Sequence, residues 1–214
     1  MSARKDRMCP ARALDNRFRR RIAPAQRELD LLGIREGDHV ADLGTGVGFL
    51  LPEILNRVGP SGSAYAVDID EENLEMARQR VHGDPRIQFL KTSAASVPGI
   101  PSESMDRVLL NLVLCCLVDK QGAMREAWRI LKPGGVVLAT HPFALPRPFG
   151  RLGVSGAIWK KLEHELPWEP IKVPSSGILR RHMVRKPGPA PAGQSASPGI
   201  PASTTRPDPS KPRV

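Results

Sequence analysis

The sequence predicts an α/β fold: a doubly wound, mostly parallel, seven-stranded sheet with helices on both faces. Three observations carry this. Short apolar runs alternate with helical periodicities across residues 37–140. Several of those runs lack polar alternation, as strands covered on both faces do. The first run passes straight into a glycine-rich turn and then a helix, the arrangement of a ligand-binding βα unit.

The elements follow in order. Pro24 opens a short helix carrying Ala25, Leu29 and Leu32, and Gly33 stops it. A strand over 39–43 ends in Gly44-Thr45-Gly46-Val47-Gly48. The spacing over 49–58 predicts a helix, with Phe49, Leu50, Ile54, Leu55 and Val58 on one stripe. After the Gly59-Pro60-Ser61-Gly62 turn comes a strand over 63–67, ended by Asp68. Asp70 is the expected cap of the next helix, with Glu71 and Glu72 in its first turn and Leu74, Ala77 and Val81 toward the sheet. Strands are expected over 87–90, 107–114 and 136–139, with a helix over 121–131 that Lys132-Pro133-Gly134-Gly135 stops. A helix over 158–166 and strands over 168–173 and 179–184 are expected to complete the sheet edge, with an antiparallel hairpin as one arrangement.

Three segments result: a basic, poorly ordered stretch over 1–23, a single domain over 24–186, and a tail over 187–214. The tail holds eight Pro and three Gly and no aromatic residue, so it is expected to be disordered. A chain of 214 residues accommodates one domain with a substantial core. Its net charge of +10 is concentrated toward the N-terminus, around Arg17 and Arg19 to Arg21. Such a field suits RNA, DNA or an anionic membrane surface, and equally suits a generally Arg-rich protein. The three cysteines form no CxxC pair, so no metal site is expected, and Cys115 and Cys116 read as small apolar side chains in a strand. No apolar segment follows the basic start, and the run over 108–118 is interrupted by Asn111 and too short for a bilayer. A cytoplasmic location is expected.

The chemistry concentrates at strand ends. The glycine spacing is GxGxG, not the GxGxxG of dinucleotide binders, because Phe49 takes the sixth position. Asp42 precedes it. A carboxylate beside the loop repels a pyrophosphate and suits a ligand carrying an ammonium and a sulfonium. Asp68, 20 residues beyond Gly48, stands where an acid can accept hydrogen bonds from both hydroxyls of an adenosine ribose, or merely cap a helix.

On these residues the chain resembles the class I S-adenosylmethionine-dependent methyltransferases, in the small-molecule branch that includes the ubiquinone and menaquinone C-methyltransferases. Met105-Asp106-Arg107-Val108 and the stretch Arg129 to Gly135 match that branch as well. The resemblance implies a Rossmann-like methyltransferase fold and S-adenosylmethionine as cofactor. It places the methionine part on Asp42, Gly44, Thr45, Gly46 and Gly48, the ribose on Asp68, and the adenine against Ile69. The acid the branch usually carries after strand three is Ser93 here, which can accept a hydrogen bond but brings no charge.

The implied reaction is methylation of a small-molecule or lipid-like acceptor, with weak association to an anionic membrane surface as a possible accompaniment and nucleic acid a less favoured partner. The Asn/Asp-Pro-Pro-aromatic motif of enzymes that methylate base amino groups is replaced by Asn111-Leu112-Val113-Leu114. Two alternatives stand beside this reading: an RNA or protein methyltransferase using the basic patch, and a cofactor-binding protein without turnover. His141, expected on the turn after strand five, is the candidate base, its bland alternative being a strand-end residue bonded to backbone. Asn111, expected near the middle of strand four, belongs to the cofactor side and could orient the acceptor. His82 and His182 are weaker candidates.

Overall fold

The computed structural model describes residues 20–21, 23–142, 154–175, 177 and 179–188. Expectations for residues 1–19 and 189–214, including the loose basic start and most of the tail, lie outside the described residues. Among the described residues the elements run in the order α1 (Ala25–Leu32), β1 (His39–Leu43), α2 (Leu51–Val58), β2 (Ser63–Asp68), α3 (Glu71–Arg80), β3 (Ile87–Lys91), β4 (Met105–Asn111), α4 (Lys120–Ile130), β5 (Leu131–Pro142), α5 (Gly156–His164), β6 (Glu169–Ile171) and β7 (Leu179–Arg185).

The strands form one sheet in the order β3-β2-β1-β4-β5-β7-β6. The first five pair in parallel, and β7 runs antiparallel between β5 and β6. The strand order therefore reverses between β1 and β4, so the carboxyl ends of these two strands open the crevice where doubly wound sheets bind ligands.

Two cores cover the two faces. On one, Leu29 and Leu32 of α1 and Leu51, Ile54, Leu55 and Val58 of α2 pack on Val40, Ala64, Ala66, Leu109 and Leu138. On the other, α4 and α5 bring Ala123, Met124, Ala127, Ile130, Trp159 and Leu162 onto Ala41, Leu43, Val108, Leu110, Val137 and Ala139. Neighbouring residues in β4 and β5 thus feed opposite cores, which is why these strands read as unbroken apolar runs. Each fully buried Leu contributes about 1.5–3 kcal/mol of transfer free energy.

Helix ends are set locally. Gly33 terminates α1 at φ 65°, Asp70 accepts the Glu72 N–H at 3.0 Å to cap α3, and Asp119 accepts the Gly122 N–H at 2.7 Å to cap α4.

Most boundaries shift by one or two residues from the sequence reading, and three elements change in ways that bear on the site. The helix expected from Phe49 starts at Leu51, because the glycine loop's turns continue through Leu50. Strand β4 ends at Asn111, because Leu112 turns the backbone into the left-handed region at φ 61°. Cys115 and Cys116 consequently lie in a loop and not in a strand. Strand β5 runs from Leu131 to Pro142, since Leu131 already pairs with Met105 and β7 pairs with it as far as Pro142. His141 is therefore inside a strand. Among the described residues no helix is long and apolar enough to cross a membrane.

Candidate functional site

The glycine loop leaves β1 as a set of tight turns between β1 and α2. Gly44 (φ 82°) and Gly48 (φ 72°) occupy left-handed backbone that other residues resist. Close approach constrains them too. A Cβ on Gly44 would lie 2.3 Å from Val113 Cγ2, and one on Gly48 would lie 2.8 Å from Ala77 Cβ. The loop is thereby wedged between α3 and the segment that follows β4.

Two carboxylates brace it. Asp42, 2 % exposed, accepts the Thr45 hydroxyl at 2.8 Å. Asp68 Oδ2 accepts the Gly46 N–H at 2.8 Å, while its Oδ1 accepts the Asp70 N–H at 3.0 Å and Asn73 Nδ2 at 3.4 Å. A carboxylate has about four lone-pair sites. With three engaged, Asp68 retains room for roughly one further donor, fewer than the two ribose hydroxyls expected of it. Asn73 was not anticipated, although its place one turn into α3 behind Asp70 brings it back toward the end of β2.

Asn111 closes β4 beside this loop. Its side chain is buried, and neither Oδ1 nor Nδ2 has a hydrogen-bond partner among the described residues. An unpaired buried amide costs about 1–3 kcal/mol, so such a group calls for a partner. Successive β4 residues join alternate cores, with Leu109 in the α1/α2 core and Leu110 in the α4/α5 core. Asn111 accordingly belongs to the α1/α2 face, as Asp42 does at the end of β1. The residues at this crevice fit a ligand with cationic and hydrogen-bonding groups: acids at Asp42 and Asp68, glycine backbone between them, and an unpaired amide at Asn111.

Ile69 is half-buried just past β2. Ser93 lies in the loop after β3, where its hydroxyl accepts the Ala95 N–H at 3.2 Å.

His141 sits on the opposite face, toward α5, with no exposed surface. Its Nδ1 lies 2.9 Å from the Pro142 carbonyl and 3.3 Å from the Val154 N–H, and its Nε2 has no partner among the described residues. The ring stacks at 5.2 Å on His182, which stacks at 3.9 Å on Trp159. Burial holds His141 below the usual histidine range, against the Pro142 hydrogen bond and with Arg180 adding to the lowering. Burial, then the charges of His141 and Arg180, push His182 down to about 4. His182 is thus His141's neighbour on the adjacent strand and not a remote residue. His82 ends α3 far along the chain from this cluster, at φ 52°.

A second buried network went unforeseen. Glu28 and Arg181, both with fully buried side chains, form an ion pair at 2.5 Å, and Thr140 donates to Glu28 at 2.8 Å. It joins α1 to β5 and β7 directly beneath the crevice. A signal existed: Glu28 shares the α1 stripe of Ala25, Leu29 and Leu32, and Arg181 shares the inward alternation of Leu179 and Met183. Two opposite charges on two inward faces were there to be paired.

Asp106, by contrast, belongs to the other end of the sheet. Partial burial raises its pKa, but hydrogen bonds from Lys132 at 2.8 Å and the His39 N–H at 2.9 Å more than offset this and lower it overall. It staples β1 to β5 through β4. Of the basic patch, Arg20 and Arg21 are described. Both are exposed, and the Arg20 guanidinium lies 6.0 Å from the Phe49 ring centre. Arg20, Phe49 and Arg80 line a surface cavity of about 490 Å³ between α1 and α2 that includes none of Asp42, Asp68 or Asn111.

Residues 41–139 match the model of a methyltransferase domain family. The chain is 35% identical over 114 residues to the ubiquinone/menaquinone biosynthesis C-methyltransferase UbiE of Hahella chejuensis, covering 51% of this chain and 45% of that protein. It is 31% identical over 113 residues to the enzyme of the same name from Cronobacter sakazakii, again covering 51% and 45%. The matched stretch thus spans less than half the length of these relatives. Among solved structures, a SAM dependent methyltransferase from Aquifex aeolicus superposes with a TM-score of 0.70 at 24% identity, over 82% of this chain and 95% of that one. That likeness concerns the fold.

Proposed function

We propose that this chain, which carries a class I S-adenosylmethionine-dependent methyltransferase domain, transfers the methyl group of S-adenosylmethionine to a small-molecule acceptor. The observation that carries the reading is the crevice at the ends of β1, β2 and β4. There a glycine loop tied to Asp68 meets Asp42 and the unpaired amide of Asn111. The printed names of the relatives, which place them in ubiquinone and menaquinone biosynthesis, favour a quinone-like, lipid-like acceptor.

When bound, S-adenosylmethionine supplies a methyl group on a sulfonium. The chain's own residues hold and orient. Asp42 and the Gly44–Gly48 turns would receive the cationic methionine end, Asp68 would take a ribose hydroxyl, Ile69 would cover the adenine, and Ser93 would stand at the adenine edge. Asn111 satisfies its amide on the cofactor side and aligns the acceptor. Proximity and alignment lower the barrier to methyl transfer by several kcal/mol without a dedicated acid or base. Where the acceptor must lose a proton, His141 is the candidate base, and because its ring lies on the α4/α5 face with no exposed surface, it reaches an acceptor only when the chain around the end of β5 opens.

Incubation of the full chain with methyl-labelled S-adenosylmethionine and a cell extract tests this, followed by identification of the labelled product. Label in an organic-soluble small molecule is expected. Label confined to RNA or protein would overturn the acceptor class, and no label in any fraction would overturn turnover.

A further inference from the structure

Exposed apolar side chains stand at the rim of the crevice. Among the described residues, Met76, Val118 and Ile158 are the large apolar side chains left exposed, Val118 at 49% and Ile158 at 41%. Val118 lies just before α4, in the segment that follows the carboxyl end of β4. Ile158 lies in the first turn of α5, which follows the carboxyl end of β5. The start of that helix is held at the strand end, for the Val154 N–H lies 3.3 Å from His141 Nδ1. Val118 and Ile158 therefore both stand at the edge of the sheet where the crevice opens.

The outer surface of α5 is basic. Trp159 and Leu162 are buried in the core, whereas Ala157, Ile158, Lys160, Lys161 and His164 are exposed. Of the acids at the end of the helix, Glu165 is engaged by Arg125 and Glu163 is half-buried, so the outward charge is positive. This combination fits one kind of surface. Anionic headgroups attract lysines, each strengthening association by about fivefold, and exposed apolar side chains enter the headgroup boundary. A nucleic acid would use the lysines and leave Val118 and Ile158 in water.

We propose that the outer face of α5, together with Val118, docks on an anionic lipid surface and turns the mouth of the crevice toward it. The buried stripe of α5 is committed to the core, so the contact is peripheral. Lys160 and Lys161 meet the lipid phosphates while Ile158 and Val118 enter between headgroups. The orientation serves the proposed reaction, because a lipid-like acceptor then reaches the ends of β4 and β5 without crossing water. That purpose rests on the methyltransferase reading, and the docking itself does not.

The test uses the full chain with vesicles of phosphatidylcholine, alone or mixed with phosphatidylglycerol, and sedimentation as readout. The parent is expected to sediment with the mixed vesicles and not with phosphatidylcholine alone, and added salt should weaken the association by screening. Lys160→Glu and Lys161→Glu should each weaken it by at least about fivefold, and Ile158→Ser by about tenfold. Lys91→Glu, on the edge strand β3, should leave it nearly unchanged. No association of the parent, equal association with both vesicles, or equal losses from Lys91→Glu and the α5 lysine variants would overturn the docking face. Lysine-dependent retention on polyuridylate without vesicle association would overturn it in favour of a nucleic-acid surface. Calorimetry with S-adenosylhomocysteine separates the two readings. Parent and variants should bind it equally, since Ile158, Lys160 and Lys161 lie outside the crevice. Absence of binding in the parent would overturn the methyltransferase reading, with sedimentation still deciding the docking face.

Discussion

At the residue scale, Asn111 has the most unusual environment in the crevice: a buried amide with neither polar atom paired among the described residues. If its partner is the cofactor, its cost is borne by the ligand-free protein and recovered on binding. Asn111→Leu is therefore expected to raise the stability of the ligand-free chain by about 1–3 kcal/mol, read by chemical denaturation, and to weaken S-adenosylhomocysteine binding. A variant that is destabilised and binds normally would show that the amide is structural. His141 is tested differently. His141→Ala should lower kcat by about 10²–10⁴-fold if the ring is the base, with cofactor affinity barely changed. A kcat within a few-fold of the parent would leave alignment as the main catalytic device. The two histidines also predict a pH dependence. Unfolded, each binds a proton near pH 6.5, whereas the folded chain protonates His182 only at about 4 and His141 below its usual range. Stability is thus complete above pH 6.5 and lost as pH falls from there toward 4. Denaturation midpoints measured across that window should fall less for His182→Phe, which keeps a ring on Trp159 without a titrating nitrogen. An identical decline in the variant would assign the effect to other groups.

At the element scale, α1 does more than cover a core. Its Glu28 pairs with Arg181 on β7 and accepts from Thr140 on β5, so α1 is joined to both strands. Removing one member of a buried ion pair leaves the other charge uncompensated. Glu28→Gln is expected to cost about 3–5 kcal/mol in chemical denaturation, and replacing both partners by methionine to restore most of it. Equal losses from the single and double variants would show that burial of these residues, and not their pairing, matters. The network also marks where sequence reading falls short. Periodicity located α1 from Pro24, Leu29, Leu32 and Gly33, and alternation located β7, but neither pattern says which distant charges meet. The same limit applies to β4. Its apolar run continues through Leu114, yet the strand stops at Asn111 because Leu112 adopts φ 61°, a choice made by tertiary packing and not by propensity. Misplacing that one boundary put the cysteines in a strand and Asn111 in mid-strand.

At the scale of the whole molecule, the parallel sheet was legible because unbroken apolar strands and intervening amphipathic helices leave few other ways to bury their surfaces. The crevice was legible because the glycine loop and Asp68 lie at consecutive strand ends, a local signal that topology carries to one edge of the sheet. The buried setting of His141 was not, since it depends on the later elements α5 (Gly156–His164) and β7 (Leu179–Arg185) closing over the end of β5. The account therefore stands first on the crevice as a cofactor site. Titration calorimetry of S-adenosylhomocysteine into the full chain and into Asp68→Ala tests it most directly. Binding at micromolar affinity, about 8 kcal/mol, is predicted for the parent, weakened by about 1–3 kcal/mol in the variant through loss of a charge-assisted hydrogen bond. A folded parent that binds no S-adenosylhomocysteine would contradict the central claim, and equal affinity in the two proteins would remove Asp68 from the site.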